Sequence, residues 1–183
     1  MIKELHCLLL LLSSMIMVPI KDTIKLTQPI ENEIKQTSKI INKRILLLYA
    51  GDNHAQFTQM TSMIKKKMQL YAYDITKDEI PDAQDYDLIL LGDHTTQDRP
   101  SQAMIDFLSW YDMQNKQVSA YWLYQDETSR YEETIAQLIN NGHYLLGLGM
   151  QEKQAMNQET LNALINGWLT SVYSPVNVHK KFL

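Results

Sequence analysis

Runs of apolar residues without polar alternation recur along the middle and the carboxyl-terminal part of the chain. Arg44 to Ala50 and Asp87 to Leu91 are the clearest, and Val118 to Tyr124 and Tyr144 to Leu148 repeat the pattern more loosely. Strands that are buried on both faces, as in a parallel sheet, show this pattern. Gln69 to Ile75 supplies one more run, so the sequence predicts five buried strands.

Apolar residues at helical spacing lie between these runs and predict the helices that connect the strands. The stretch from Thr76 to Tyr86 contains Pro81 and predicts a crossover with at most a short helix. The clearest stripe follows Asn157, whose side chain suits a helix N-cap. The stripes are formed by Phe57, Met60, Ile64 and Met68; by Met104, Phe107, Leu108 and Tyr111; by Ile135, Leu138 and Ile139; and by Leu161, Leu164, Ile165, Trp168, Leu169 and Val172.

This alternation of strands and helices predicts an α/β fold with a three-layer, doubly wound, parallel five-stranded sheet. Right-handed crossovers between parallel strands produce such layers. For five strands we expect the order 2-1-3-4-5, with a switch point between the first and third strands. Ligands bind at such a point, in the crevice beyond the carboxyl ends of the strands.

The two ends of the chain differ from this central domain. Residues 1–20 contain an apolar run from Cys7 to Ile20, which is shorter than a comfortable membrane span but suits the apolar core of a signal peptide. Residues 21–43 are a polar linker, 44–173 form the predicted domain, and 174–183 are a tail. The sequence leaves open whether residues 7–20 direct export, tether the chain to a membrane or pack as an apolar helix on a cytoplasmic domain. It also leaves open a start at Met15 or Met17 instead of Met1.

The amino-acid composition excludes several kinds of partner and of chemical site. The 183-residue chain carries a net charge of -4 and no basic stripe, so nucleic acid is not an expected partner. Cys7 is the only cysteine, which excludes an intrachain disulfide, a zinc site built from several cysteines and CxxC redox chemistry. Any electron transfer therefore requires a bound cofactor.

Four blocks of the sequence resemble the flavodoxin-like family, in particular the short bacterial flavodoxins. They are Arg44 to Gln56 (RILLLYAGDNHAQ), Asp85 to Gly92 (DYDLILLG), Phe107 to Val118 (FLSWYDMQNKQV) and Tyr144 to Met150 (YLLGLGM). The resemblance implies a flavodoxin-like fold, flavin mononucleotide (FMN) as cofactor, and electron transfer or oxidoreductase chemistry with a redox partner protein. The cofactor-binding residues that it implies are Gly51, Asp52, Asn53, His54, Ala55, Gln56, Asp93, His94, Thr95, Thr96, Tyr124, Gln125 and Asp126.

The three implied flavin-binding loops depart from the family pattern. Residues 51–56 contain no hydroxyl group, and Asp52 adds a negative charge where the phosphate dianion of FMN would bind. The loop from Asp93 to Pro100 has no tryptophan to stack on the flavin, and Gln125 to Arg130 has no glycine. These departures leave a second hypothesis, a non-catalytic binding or structural module that has lost FMN, so it stays open whether the chain is an enzyme.

A third hypothesis comes from two short segments that resemble each other. Asp52 and His54 follow the carboxyl end of the first predicted strand, and Asp93 and His94 follow that of the third. Two carboxylates and two imidazoles at one crevice would suit zinc, manganese or iron(II). In the alternative interpretation the two aspartates cap helices or turns and the histidines are loop residues.

Overall fold

A computed structural model describes residues 43–51, 53–96, 99–125 and 130–173 of the chain. The predicted signal or tether, the linker up to residue 42 and the tail from residue 174 lie outside the described residues, as do Asp52 and Asp126. Among the helices of the described part, none is long and apolar enough to cross a membrane.

The strands of the described residues are β1 (Ile45–Tyr49), β2 (Ala72–Asp74), β3 (Leu88–Thr95), β4 (Lys116–Tyr124), β5 (Gly142–Tyr144) and β6 (Leu148–Gln151). They form one parallel sheet in the order β2-β1-β3-β4-β5, with β6 also pairing with β4. The predicted order 2-1-3-4-5 is therefore confirmed, with the fifth position shared by two short strands.

Helices cover both faces of the sheet, which confirms the three-layer prediction. The helices of the described residues are α1 (Ala55–Met68), α2 (Gln102–Trp110), α3 (Tyr131–Leu138), α4 (Glu152–Ala155) and α5 (Gln158–Tyr173), and a 3₁₀ turn spans Ala83–Asp85. Neighbouring residues of β1 show the two faces: Leu47 packs in the core under α1 and α5, and Leu48 packs in the core under α2 and α3. The backbone N–H of Thr160 donates to Asn157 Oδ1, as expected for the predicted cap of α5.

Among the strands whose boundaries differ from the prediction, the third and the fifth affect the site. β3 continues four residues beyond Leu91, because Gly92 to Thr95 pair with β4 up to Tyr124. The predicted fifth strand, Tyr144 to Leu148, is instead interrupted in its centre. The Leu146 carbonyl accepts a hydrogen bond from Ser119 Oγ, and the Gly147 N–H donates to Glu132 at 2.7 Å, so the backbone leaves the ladder between β5 and β6.

Candidate functional site

The predicted site residues that the structure describes lie at the edge of the sheet where β1, β3 and β4 end. Gly51 follows β1, residues 53–56 lead into α1, residues 93–95 end β3, and Tyr124 ends β4. Thr96 and Gln125 come directly after their strands. Because Tyr49 pairs with Gly92 and Gly92 with Tyr121, the ends of these strands are neighbours in space.

The first loop presents the amino terminus of α1 to this edge. His54 is the N-cap residue and has extended backbone angles, but its side chain makes no cap hydrogen bond. The first turn of α1 contains no acidic residue. The backbone N–H groups of a first helical turn lack partners within the helix and favour anions. The start of this 14-residue helix can therefore receive a negatively charged group.

Gly51, by contrast, is bound to the neighbouring strand. Its N–H donates to Asp74 Oδ1 at 3.1 Å, and a Cβ atom on Gly51 would lie 1.9 Å from Asp74 Oδ2. Asp74 also accepts hydrogen bonds from the N–H and hydroxyl of Thr76 and from Lys77. Burial alone would raise the pKa of Asp74, but these hydrogen bonds lower it overall. The Gly51 N–H is thus engaged by a carboxylate rather than directed at a ligand.

Two histidines meet a glutamate at the centre of the edge. Nε2 of His54 and Nε2 of His94 each lie 3.2 Å from Oε1 of Glu152. The two imidazole rings are stacked with their centroids 4.0 Å apart. The three side chains are partly exposed, at 22% for His54, 11% for His94 and 20% for Glu152.

Three separate elements bring this cluster together. His54 precedes α1, and the backbone N–H and the hydroxyl of Thr58 both donate to its carbonyl. His94 is the penultimate residue of β3, and Glu152 is the first residue of α4, directly after β6. Gln151 and Gln154 form a capping box that fixes the start of α4. The sequence prediction paired the two histidines correctly but missed Glu152.

Asp93 faces away from the cluster, because consecutive residues of a strand point to opposite faces of the sheet. Its side chain is fully buried, and Oδ2 accepts hydrogen bonds from the Ser101 N–H at 2.8 Å and the Tyr131 hydroxyl at 3.1 Å. No described residue provides a hydrogen-bond partner for Oδ1. Burial raises the pKa of Asp93 to about 6, although these hydrogen bonds oppose the shift. Asp93 thus holds Ser101, and Ser101 rather than Asp93 is the N-cap residue of α2.

The metal hypothesis therefore needs a different set of residues. Of its four predicted ligands, His54 and His94 converge, Asp93 lies on the opposite face of the sheet, and Asp52 lies outside the described residues. Glu152 supplies the carboxylate that meets both imidazoles.

The aromatic residues at the end of β4 have different surroundings. Trp122 is buried and stacks on Tyr131 with ring centroids 4.5 Å apart, so it belongs to the core. Tyr124 is half-buried, and Gln125 is exposed. Of these residues, Tyr124 is the one positioned to offer part of an aromatic ring to a ligand at the edge.

Two hollows adjoin the predicted loops. A groove of about 710 Å³ runs between α1 and β2 beside the first loop, and its lining includes Asn53, Ala55 and Lys65. A smaller hollow of about 250 Å³ lies beside the second loop, where His94, Thr95 and Thr96 contribute to its lining. Small-molecule sites commonly measure about 300 to 1,000 Å³, so the groove has the volume of a ligand site.

No family model and no curated protein sequence matches this chain. The structure is nevertheless similar to many solved structures. A protein from Bacteroides eggerthii classed as a flavoprotein superposes with a TM-score of 0.56 at 11% identity, over 73% of this chain and 99% of that one. A flavodoxin, WrbA-like protein from Agrobacterium tumefaciens gives 0.54 at 12% identity, over 72% and 98%.

A third similar structure is a flavodoxin variant from Fusobacterium nucleatum that was solved with flavin mononucleotide. It gives a TM-score of 0.51 at 16% identity, over 71% of this chain and 95% of that one. At identities this low, structural similarity establishes the fold alone. The three superpositions and the strand order confirm the predicted architecture: the chain has the flavodoxin-like fold.

Proposed function

We propose that the chain is a flavodoxin-like redox module that binds FMN at the carboxyl edge of its sheet. The observation that carries this proposal is the amino terminus of α1, which opens without a side-chain cap at the switch point between β1 and β3. The similar flavodoxin from Fusobacterium nucleatum holds FMN, which supports the same ligand here. Residues 53–56 would hold the phosphate, and residues 94–96, 124 and 125 would face the flavin ring.

In the first loop, backbone N–H groups rather than side-chain hydroxyl groups would donate hydrogen bonds to the phosphate. The first turn of α1 offers N–H groups to a dianion. Two carboxylates flank this loop: Asp74 takes the Gly51 N–H, and Glu152 lies beside His54. A carboxylate near the phosphate opposes binding, so we expect Glu152 to weaken the affinity for FMN.

Bound FMN would supply the electron chemistry, as flavin cofactors do in general. The role of the chain would be to hold the phosphate, to orient the ring with residues such as Tyr124, and to exclude water from one side of it. In this proposal the protein acts as an FMN-dependent oxidoreductase or as an electron carrier for a partner protein.

A fluorescence titration of the full chain with FMN tests the proposal. We expect quenching of flavin fluorescence with a Kd below about 1 µM for the wild-type chain. Glu152→Gln removes a negative charge from the edge and should tighten binding about fivefold or more. Glu133→Gln is the matched control, because Glu133 is exposed on α3 and should leave the Kd unchanged. Failure of both the wild type and Glu152→Gln to bind at tens of micromolar FMN would contradict the proposal.

One alternative function has a specific observation in its favour. The His54 ring is stacked on His94, and the Gly51 N–H is taken by Asp74, so two parts of the predicted FMN site already have protein partners. Such an edge suits a binding or structural module that has lost FMN. The same titration separates the two functions, since this module would remain colourless and would not quench the flavin.

A further inference from the structure

We propose that His54, His94 and Glu152 form a binding site for a divalent first-row transition-metal ion such as Zn²⁺ or Fe²⁺. Each residue offers one ligand atom, and the three atoms lie within 4.8 Å of one another. This site goes beyond FMN binding and does not depend on it, because all three ligands come from the protein.

The distances fit a common ion. Zinc binds imidazole nitrogen at about 2.0 to 2.1 Å and carboxylate oxygen at about 2.0 to 2.2 Å, so two ligand atoms on one ion lie about 3 to 4 Å apart. The Nε2 atoms of His54 and His94 are each 3.2 Å from Glu152 Oε1. Small side-chain rotations would bring the three atoms around one ion without a change in the backbone.

The kinds of ligand atom indicate which metal ions the site would prefer. Two imidazoles and one carboxylate suit zinc and iron(II), whereas magnesium and calcium prefer sites made only of oxygen ligands. With both imidazoles neutral, the carboxylate gives the ligand set a charge of about -1, which a divalent ion more than neutralises. Three protein ligands leave at least one coordination position open. Because all three side chains are partly exposed, water can reach that position.

The protein fixes the backbone of the three ligand residues before any ion binds. The carbonyl of His54 is held at the start of α1 by the two hydrogen bonds from Thr58. His94 pairs with Leu123 of β4, and its ring lies 6.3 Å from the Phe57 ring, centroid to centroid. Glu152 is fixed by the capping box of α4. A binding constellation on helix ends and a central strand is more rigid than one on loops.

Calorimetric titration of the EDTA-treated full chain with Zn²⁺, in the absence of flavin, tests the site. We expect one ion per chain with a Kd below about 1 µM. His94→Ala and Glu152→Gln should each raise the Kd about tenfold or more, since each removes a ligand. Glu152→Asp should retain part of the affinity. His143→Ala is the matched control and should bind as the wild type does, because His143 is exposed on β5.

Two further readouts keep the test decisive. Co²⁺ in place of Zn²⁺ should give visible absorption bands in the wild type that are lost in His94→Ala. Circular dichroism of each variant should match the wild type, which separates loss of a ligand from loss of the fold. Absence of binding at about 100 µM Zn²⁺ would overturn the proposal, because the Kd would then be far weaker than the expected value of about 1 µM. So would an equal Kd in the wild type and both ligand variants, since the glutamate would then only bridge two imidazoles by hydrogen bonds.

Glu152→Gln also distinguishes this proposal from FMN binding. The substitution should strengthen binding of FMN and weaken binding of Zn²⁺, because it removes a repulsive charge for one ligand and a coordinating oxygen for the other. Failure of either expectation leaves the other intact.

Discussion

We expect the free energy of unfolding of the wild-type protein to fall between pH 4 and pH 7, and that of Asp93→Asn to fall much less. Asp93 is fully buried at the end of β3, and burial raises its pKa from the ordinary 3.8 to about 6. Between these two values the folded protein binds a proton that the unfolded chain releases. The free energy of unfolding therefore falls as the pH rises through this window, and the loss is complete by about pH 7.

The size of the effect follows from the pKa difference. A shift of this size corresponds to on the order of 3 kcal/mol between low and neutral pH. Asparagine is nearly the same shape as aspartate, and its oxygen can still accept the hydrogen bonds from Ser101 and Tyr131. The asparagine side chain does not titrate. The free energy of unfolding of the variant, relative to that of the wild type, should therefore rise by about 3 kcal/mol from pH 4 to pH 7.

Urea denaturation of both proteins from pH 2.5 to pH 7.5 measures this difference, and the part of this range below pH 4 covers the titration of Asp74. Asp74→Asn is an informative control because the pKa of Asp74 is lowered in the folded state, so its effect has the opposite sign. Asp74 contributes stability above its unfolded pKa and loses it as the pH falls through its folded pKa. Parallel pH profiles for the wild type and Asp93→Asn would show that the Asp93 carboxylate is not desolvated as the structure indicates.

Gly92→Ala is expected to destabilise the protein by about 3 kcal/mol, because β3 and β4 leave no space for a side chain at this position. A Cβ atom on Gly92 would lie 2.2 Å from both Cζ and the hydroxyl oxygen of Tyr121. Tyr121 cannot withdraw easily, since it is fully buried and its hydroxyl lies 3.0 Å from Thr61 Oγ1. For a domain of this size the melting temperature should fall by about 6 to 12 °C.

Gly167→Ala is the matched control for this substitution. Gly167 is exposed within α5, and a Cβ atom there would meet nothing within 4 Å. Alanine favours a helix over glycine by about 0.5 to 1 kcal/mol, so this variant should be slightly more stable than the wild type. Thermal melts of the two variants compare the sites directly. If Gly92→Ala melts at the wild-type temperature, β3 and Tyr121 do not pack as described.

The fold could be predicted because its signals are local. The apolar runs of β1 and β3 and the stripe of α5 each indicate their element without knowledge of the rest of the chain. Their alternation then restricts the topology to a few solutions. The order of the strands follows from these restrictions, and the structure confirms it.

The site could be predicted only in part, because its geometry depends on where two strands end. Asp93 and His94 were expected to point into one crevice, but β3 continues through both residues, so they face opposite sides of the sheet. An apolar run does not show where a strand ends when the last residues of the strand are polar. Glu152 was missed because the predicted fifth strand ended too early in the sequence. The fifth strand was predicted to end at Leu148, whereas β6 continues to Gln151 and delivers Glu152 to the edge.

We propose that FMN binds at the edge between β1 and β3. Backbone amide NMR shifts of the nitrogen-15-labelled full chain, recorded as FMN is added, locate the binding site. We expect the largest changes at residues 53–57, 94–96 and 124–125, with little change at the opposite edge, for example at Lys116 and Gly142. Saturating changes confined to other residues, or no change at any FMN concentration, would show that this edge does not bind flavin.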